Sequence, residues 1–321
     1  MNSLKLFCTL GPGSLNKKFL TNLNPKFIKL LRINLSHTNY NELNDLVKFI
    51  RKYTKIKICI DTEGAQIRTS NLINRNKELL KNTKFYLNNK EISKHYIPLK
   101  PLSIYKKLKI NDILSIDFNS AKVKIIDIKP NYHVCKVIQE GVIGSNKSIS
   151  VNRLINIPAF TENDLKCFDI AQSLNIKDIA LSFTSHSDDV KKLRNFFNYK
   201  INVTSKIESK KGIRNLEGIM DEADNILIDR GDLSKEIPLE LIPKTQKEII
   251  MRANKFGTPV FVATNLLESM VTSKEPTRAE INDIYNTLLD GADGLVLAAE
   301  TAIGNYPSEC IDMVIKVANT I

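Results

Sequence analysis

The stretch INVTSKIESKKGIRNLEGIMDEADNILIDRG (residues 201–231) contains two short apolar runs rich in β-branched residues, separated by a helical segment. Runs that are apolar at nearly every position are typical of strands in a parallel sheet covered by helices. Lys206 and Glu208 end the first run two residues apart, so a strand directs both side chains to one face and Ile207 to the other. Such a pair is either a solvated ion pair or part of a site.

The same alternation of apolar run and helical segment recurs along most of the chain. The runs are LKLFCTL (4–10), IKLLRINL (28–35), IKICIDT (56–62), IKDIALSF (176–183), INVTSKIE (201–208), NILIDRG (225–231), TPVFVAT (258–264) and GLVLAAE (294–300). Residues 39–53 repeat apolar side chains at intervals of three and four, and residues 276–291 have a Thr277/Glu280 capping box and end at Gly291. Strands that alternate with helices in this way predict an α/β fold, a (β/α)8 TIM barrel formed by residues 1–69 and 159–321.

One interval, from Ser70 to Pro158, breaks this rhythm, although a βα loop needs only a few residues. It contains short alternating segments such as KFYLNN (84–89), DILSIDF (112–118) and AKVKIIDIK (121–129). These apolar alternations do not suit a disordered insertion. We expect residues 70–158 to form an inserted small β-barrel cap domain, after which Thr161 caps the next helix.

Composition narrows the class of protein. The 321 residues are 42% apolar and 26% charged, as expected of a folded soluble protein. No run approaches the ~18 apolar residues of a membrane helix, and no secretory signal is evident, so we expect a cytoplasmic protein without a membrane partner. The five cysteines form no C-x-x-C pair and are expected to be free core residues.

The net charge of +12 could indicate a nucleic-acid binder. However, the lysines are spread along the whole chain, and the sequence has no tryptophan. A solvated lysine-rich surface explains this distribution better, with attraction of anionic substrates as a side effect. We therefore expect no nucleic-acid partner.

Polar residues end the apolar runs, where the active sites of such barrels lie. In chain order they are Arg32, Asn34, Ser36, His37, Asp61, Thr62, Arg68, Ser182, Lys206, Glu208, Asp232, Thr264 and Glu300. Two carboxylates with open water positions, Glu208 and Asp232, suit Mg²⁺. Lys206 and Arg32 could neutralise a phosphoryl group during its transfer, and Gly231 would let a backbone N–H approach an anion. The oxygens of four further residues fit a large monovalent cation: Asn34, Ser36, Asp61 and Thr62.

Several motifs, in their order and spacing, resemble the pyruvate kinase family over essentially the whole chain. They are TLGPGS (9–14), LRINLSH (31–37), IDTEGAQIRT (60–69), SKIESKKGIRNLEGI (205–219), RGDLSKEIP (230–238), ATNLLESM (263–270), PTRAEINDIYNTLLDGADG (276–294) and ETAIGNYP (300–307). The resemblance implies transfer of the phosphoryl group of phosphoenolpyruvate to a nucleoside diphosphate, giving pyruvate and NTP. It further implies Mg²⁺ (or Mn²⁺) and K⁺ as cofactors, and a homo-oligomer.

Residue roles follow from the resemblance by motif. Lys206 and Arg32 would meet the transferred phosphoryl group, with Thr264 beside the enolate of pyruvate. Glu208 and Asp232 would bind Mg²⁺, and Gly231, Asp232 and Thr264 would bind substrate. The K⁺ ligands would be Asn34, Ser36, Asp61 and Thr62, and Arg68 and His37 would lie toward the nucleotide. In the alternative to K⁺ binding, Asp61 pairs with Arg32 or Arg68 and the hydroxyls cap a turn.

The sequence also departs from the family pattern. The changed positions are Glu63 and Gln66 in DTEGAQ (for DTKGPE), Ser185 in SFTS, Asp229 and Ser234 in DRGDLS (for ARGDLG), Asn265 after Thr264, and Ala298 in LAAET. The chain also ends after the eighth βα unit, so we do not expect the family's C-terminal domain in it. Three alternatives stay open: an aldol-type lyase acting on the pyruvate enolate, a different phosphoryl acceptor, and a non-catalytic binding protein.

Overall fold

The protein is described from a computed structural model that covers residues 4–64, 66–74, 76–88, 95–117, 120–153, 155 and 157–321. Ala65, Asn89 and Phe118, which belong to segments quoted above, lie outside these residues. The strands are β1 (Lys5–Thr9), β2 (Ile28–Asn34), β3 (Lys57–Asp61), β4 (Ile67–Thr69), β5 (Asn76–Leu79), β6 (Lys84–Asn88), β7 (Tyr96–Lys100), β8 (Ile113–Ile116), β9 (Ala121–Ile128), β10 (His133–Gln139), β11 (Gly141–Gly144), β12 (Ser148–Val151), β13 (Asp178–Leu181), β14 (Asn202–Ile207), β15 (Asn225–Asp229), β16 (Val260–Ala263) and β17 (Gly294–Leu297).

The helices follow the strands of the first and last parts of the chain. They are α1 (Lys17–Asn22), α2 (Tyr40–Tyr53), α3 (Glu162–Ser173), α4 (Ser187–Phe196), α5 (Lys210–Arg214), α6 (Leu216–Glu222), α7 (Arg230–Leu233), α8 (Ile242–Phe256), α9 (Arg278–Leu289), α10 (Ala299–Ala302) and α11 (Pro307–Ala318), with 3₁₀ turns at Leu102–Lys106, Leu239–Leu241 and Glu268–Val271.

Two compact units divide the chain: a barrel unit, Met1–Gly64 with Ala159–Ile321, and an inserted unit, Ala65–Pro158. In the barrel unit, parallel strands close in the order β1-β17-β16-β15-β14-β13-β3-β2. This eight-stranded closed barrel with helices between its strands confirms the predicted α/β (β/α)8 fold. Its interior contains a cluster of buried apolar side chains: Phe7, Leu30, Cys59, Ala180, Leu227, Phe261, Ala263 and Val296.

Side chains that alternate with this cluster pack outward against the helices. In β14 the outward residues Val203 and Ile207 are fully buried in the larger core between sheet and helices. Their neighbour Lys206 therefore points to the other face, into the barrel. Because strands of one parallel barrel all end at the same rim, this alternation delivers inward polar side chains to one place.

Capping residues set the helix boundaries, as the sequence predicted. Thr161 and Asp164 form a reciprocal capping box at the start of α3, and Thr277 and Glu280 form another at the start of α9. Gly291 follows α9 with a φ of +99°, a left-handed conformation that suits glycine.

The inserted unit is a second closed barrel, with strand order β10-β6-β7-β4-β12-β8-β9, accompanied by a two-stranded sheet of β11 and β5. Its own core includes Phe85, Leu114 and Val137. The structure places the first boundary of this unit between Gly64 and Ala65, earlier than the predicted start at Ser70. The reason is that β4 pairs with β7 and β12 and so belongs to the inserted barrel.

The five cysteines are free and buried, as expected of core residues. Burial raises the pKa of the Cys167 thiol to about 12, so this group is not a reactive thiolate. Within the described ranges, none of the helices combines the length and the apolar character that crossing a bilayer requires.

Candidate active site

Lys206 and Glu208 lie side by side at the end of β14, as their two-residue spacing predicted. Lys206 Nζ lies 3.0 Å from Glu208 Oε1. Lys206 is 5% exposed and Glu208 1% exposed. A solvated surface pair would be far more accessible. The pair is therefore part of a buried polar cluster inside the barrel rim.

Arg32 and Asp61 bring a second ion pair to this cluster from β2 and β3. Arg32 Nε donates to Asp61 Oδ2 over 2.6 Å, and Nη1 donates to Thr9 Oγ1 over 2.7 Å. Lys206 Nζ lies 3.4 Å from Asp61. One carboxylate thus holds both candidate phosphoryl-binding cations in a fixed position.

Ser182 and Phe183, which follow β13, connect the two ion pairs. Ser182 Oγ lies 3.1 Å from both Asp61 Oδ1 and Lys206 Nζ. The backbone N–H of Phe183 donates to Glu208 Oε2 over 2.5 Å. Phe183 has a φ of +52°, a conformation that costs energy in a residue with a side chain. This turn directs the N–H toward the glutamate.

Asp229 and Asp232 complete the cluster beside Glu208. One carboxylate oxygen from each of these three residues lies within 4.8 Å of the others. Asp229 is also 3.5 Å from Lys206 Nζ, and Asp232 pairs with Lys235. The sequence predicted Asp232 as a ligand, whereas Asp229 was noticed only as a departure from the family motif.

Burial and neighbouring charges shift the pKa values of the central pair. Burial alone would lower the pKa of Lys206, but Asp61, Glu208 and Asp229 together raise it above its ordinary value. Burial raises the pKa of Glu208 well above its ordinary value, against the influence of Lys206 and with that of Asp232 and Asp229. Lys206 therefore stays protonated, and neighbouring positive charge favours the ionised form of Glu208.

Thr264 follows β16 and contacts Gly231, which is also predicted to bind substrate. Its Oγ1 accepts a hydrogen bond from Gly231 N over 2.8 Å and donates to Ala263 O over 2.6 Å. Its φ of +73° is unusual for a β-branched residue. The carbonyl oxygen of Thr264 accepts from Arg230, which is paired with Asp283. Arg230 thus holds Thr264 and Gly231 together.

The four predicted K⁺ ligands do not all offer free oxygens. Asn34 Oδ1 accepts from Ser36 N over 3.0 Å, and Thr62 Oγ1 accepts from Ser182 N over 2.9 Å. Asp61 has cationic partners without a bound ion, because it faces Arg32 and Lys206. These contacts correspond to the alternative in which Asp61 is paired and the polar side chains stabilise turns.

The two predicted nucleotide residues lie in different units. His37 is exposed after β2 in the barrel unit. Arg68 lies on β4 in the inserted unit, where its Nη1 donates to Asn146 O over 2.9 Å. Their role toward a nucleotide stays a prediction.

Several positions that depart from the family pattern have local structural roles. Glu63 accepts from Thr161 Oγ1 over 2.8 Å, and Ser185 donates to the Asp189 carboxylate at the start of α4 over 3.0 Å. Asn265 is exposed with a φ of +54°. The N–H of Ala298 donates to Glu300, a rim residue that otherwise accepts from backbone N–H groups of the β16 loop. Glu300 therefore stabilises loops.

A family model described as pyruvate kinase, barrel domain, matches residues 1–311. The chain belongs to the pyruvate kinase family. It is 33% identical over 99% of its length to a pyruvate kinase of Clostridium acetobutylicum, of which it covers 70%. It is 34% identical over 99% of its length to one of Thermotoga maritima, covering 71%, and 31% identical to one of Bacillus licheniformis, covering 57%. The predicted resemblance is thereby confirmed, and the chain is a pyruvate kinase-like phosphotransferase.

The residues present fit the divalent metal ion that this family implies. Glu208 Oε1 is buried and has no hydrogen-bond partner among the described residues, although Lys206 Nζ is nearby. Carboxylate oxygens of Asp229 and Asp232 lie within 4.8 Å. Hard oxygen donors are the ligands that Mg²⁺ and Mn²⁺ take. For K⁺ the donor types fit, but Asp61 is already neutralised by two cations.

Proposed function

We propose that the protein transfers the phosphoryl group of phosphoenolpyruvate to a nucleoside diphosphate, giving pyruvate and a nucleoside triphosphate. The observation that supports this best is the buried cluster in which Lys206 and Arg32 share Asp61, while Glu208 Oε1, which faces Lys206 Nζ at 3.0 Å, accepts no hydrogen bond from the residues that the structure describes. Two permanent cations beside a metal-binding carboxylate suit the equatorial oxygens of a phosphoryl group in transfer.

Each residue has a physical role in this reaction. Glu208 and Asp232 would hold Mg²⁺ or Mn²⁺, which supplies charge neutralisation on the phosphoryl oxygens when bound. Lys206 and Arg32 face the phosphoryl group, and Asp61 with Ser182 fixes their side chains so that little reorganisation accompanies transfer. Thr264, whose Oγ1 is fixed between Gly231 N and Ala263 O, lies toward the enolate.

K⁺ would be bound by Asn34, Ser36, Asp61 and Thr62, with low affinity, since Asp61 already faces two cations. His37 and Arg68 would contact the nucleotide. We further propose that the protein is a cytoplasmic homo-oligomer that acts on these small molecules rather than on nucleic acid or membranes, with the basic surface attracting anionic substrates.

The test is a substrate panel with phosphoenolpyruvate, Mg²⁺, K⁺ and several nucleoside diphosphates, in which pyruvate and nucleoside triphosphate are measured together. Equal amounts of both products are expected with at least one acceptor. Pyruvate without triphosphate would indicate another acceptor or an enolate reaction. Neither product, from protein whose fold is verified by circular dichroism, would indicate a binding protein.

A further inference from the structure

Asp229 is a buried carboxylate to which the proposed reaction gives no role. It ends β15, is 6% exposed, and its Oδ2 lies 3.5 Å from Lys206 Nζ. An oxygen of Asp229 lies within 4.8 Å of oxygens of Glu208 and Asp232. One ion can bridge such a separation directly or through a coordinated water.

The hydrogen bonding of the buried Glu208 oxygen also points to a ligand. Glu208 Oε1 has no hydrogen-bond partner among the residues that the structure describes. Lys206 Nζ forms an ion pair with it at 3.0 Å, but also faces Ser182 Oγ at 3.1 Å, Asp61 at 3.4 Å and Asp229 at 3.5 Å. An ammonium has three N–H groups, so it cannot satisfy this number of acceptors.

The net charge of the cluster also favours a bound cation. The buried groups are two cations, Arg32 and Lys206, and three carboxylates, Asp61, Glu208 and Asp229. If all are ionised, one negative charge is in excess, which a buried site disfavours. This excess attracts a cation to Glu208 and Asp229, whereas without Asp229 the other four groups would balance.

We propose that Asp229 is a third carboxylate of the divalent-cation site, and that its charge strengthens the binding of Mg²⁺ or Mn²⁺ to the protein without substrate. The proposal rests on the proposed function, in which Glu208 and Asp232 hold the ion. Where two carboxylates bind Mg²⁺, the substrate phosphate commonly supplies further ligands. Here the chain supplies the additional charge itself.

The experiment is a titration of the full chain with Mn²⁺ in the absence of substrate, with free Mn²⁺ measured by electron paramagnetic resonance. Asp229→Asn should weaken Mn²⁺ binding by roughly tenfold to a hundredfold, and Asp229→Glu should retain most of the affinity. Asparagine keeps a side-chain oxygen for the weak 3.4 Å contact with Asp232 N, so this variant tests the charge. Asp188→Asn, at an exposed position of α4, removes one carboxylate elsewhere and should leave binding unchanged.

Glu208→Gln separates this proposal from the proposed function. If Glu208→Gln loses Mn²⁺ while Asp229→Asn and a second variant, Asp229→Ala, bind as tightly as wild type, Asp229 is not part of the site and the two-carboxylate site stands. Wild-type protein that binds no Mn²⁺ until phosphoenolpyruvate is added also overturns the proposal, without contradicting transfer. Melting curves of each variant confirm that the binding site is folded.

Discussion

Replacing Lys206 with methionine removes the ammonium that faces Asp61 at 3.4 Å, Glu208 at 3.0 Å and Asp229 at 3.5 Å. Methionine has a similar length and suits a position that is 5% exposed. If Lys206 stabilises the phosphoryl group in transfer, its loss should lower the rate by on the order of 10²–10³-fold, as for other preorganised donors. We expect the fold to be kept.

The same substitution leaves a buried charge without its partner, which can cost about 3–5 kcal/mol of stability. Protonation of Glu208 can offset this cost, because burial already raises its pKa well above the ordinary value and Lys206 opposes that rise. A carboxyl whose pKa is raised in the folded state stabilises the fold at low pH, and this contribution is lost as pH rises through the folded-state pKa. Lys206→Met should therefore be less stable than wild type, and more so at pH 8 than at pH 6.

The assay couples pyruvate formation to NADH oxidation by lactate dehydrogenase, and urea unfolding is measured at both pH values. Lys191→Met is the matched control, since Lys191 pairs with Glu222 at 3.4 Å on an exposed helix face. Wild-type turnover in folded Lys206→Met would refute the role in transfer. A stability loss independent of pH would contradict the coupling to Glu208.

Three further predictions concern two positions that depart from the family pattern, the monovalent cation and the inserted unit. Asn265 and Ala298 should slow protonation of the enolate more than phosphoryl transfer. Solvent deuterium should therefore enter pyruvate later than the nucleotide is phosphorylated. Incorporation that keeps pace with phosphorylation would show that these residues do not affect protonation. K⁺ or NH₄⁺ should activate the enzyme, and Na⁺ or Li⁺ should do so only weakly. The affinity for K⁺ should be low because Asp61 is already paired. Equal rates in K⁺ and in tetramethylammonium would indicate that Asp61 has only a structural role. Burial lowers the pKa of His133 below its ordinary 6.5, so stability present above pH 6.5 should be lost as pH falls through the folded-state pKa. The hydrogen-exchange protection factors of the β10 amides, which are corrected for intrinsic exchange at each pH, should fall below pH 6 in wild type but not in His133→Gln.

The fold could be predicted from the sequence because its signals are local. Each barrel strand is a short apolar run, since both faces of a parallel sheet in a barrel are buried. Helix starts such as Thr161 and Thr277 follow from side-chain oxygens that satisfy free N–H groups within the same turn. The inserted barrel could be predicted from its alternating apolar and polar residues. Its first boundary was predicted too late in the chain, because β4 has no sequence feature that assigns it to either unit.

The site could be predicted only in part, because its contacts join distant strands. The adjacency of Lys206 and Glu208 follows from the two-residue period of a strand. The pairing of Asp61 with Arg32 and Lys206 depends on which strands are neighbours and on their register, which the run pattern does not contain. Asp229 could have been found, since an inward carboxylate at a strand end next to a predicted metal ligand is itself a signal.

Strained backbone at the rim shows where the sequence favours the site over local stability. Phe183, Thr264 and Asn265 have φ values of +52°, +73° and +54°, and such conformations cost of order 1–3 kcal/mol for residues other than glycine. Glycine would relieve this cost at each position.

The contacts give a reason for the strain at Phe183 and Thr264, since the N–H of Phe183 donates to Glu208 and the carbonyl of Thr264 accepts from Arg230. A turn that must hold the Glu208 carboxylate or the Thr264 hydroxyl in one orientation is better restrained by a residue with a side chain than left flexible by glycine. The strain is thus a consequence of fixing the cluster before substrate arrives, which is the same preorganisation that the proposed transfer requires.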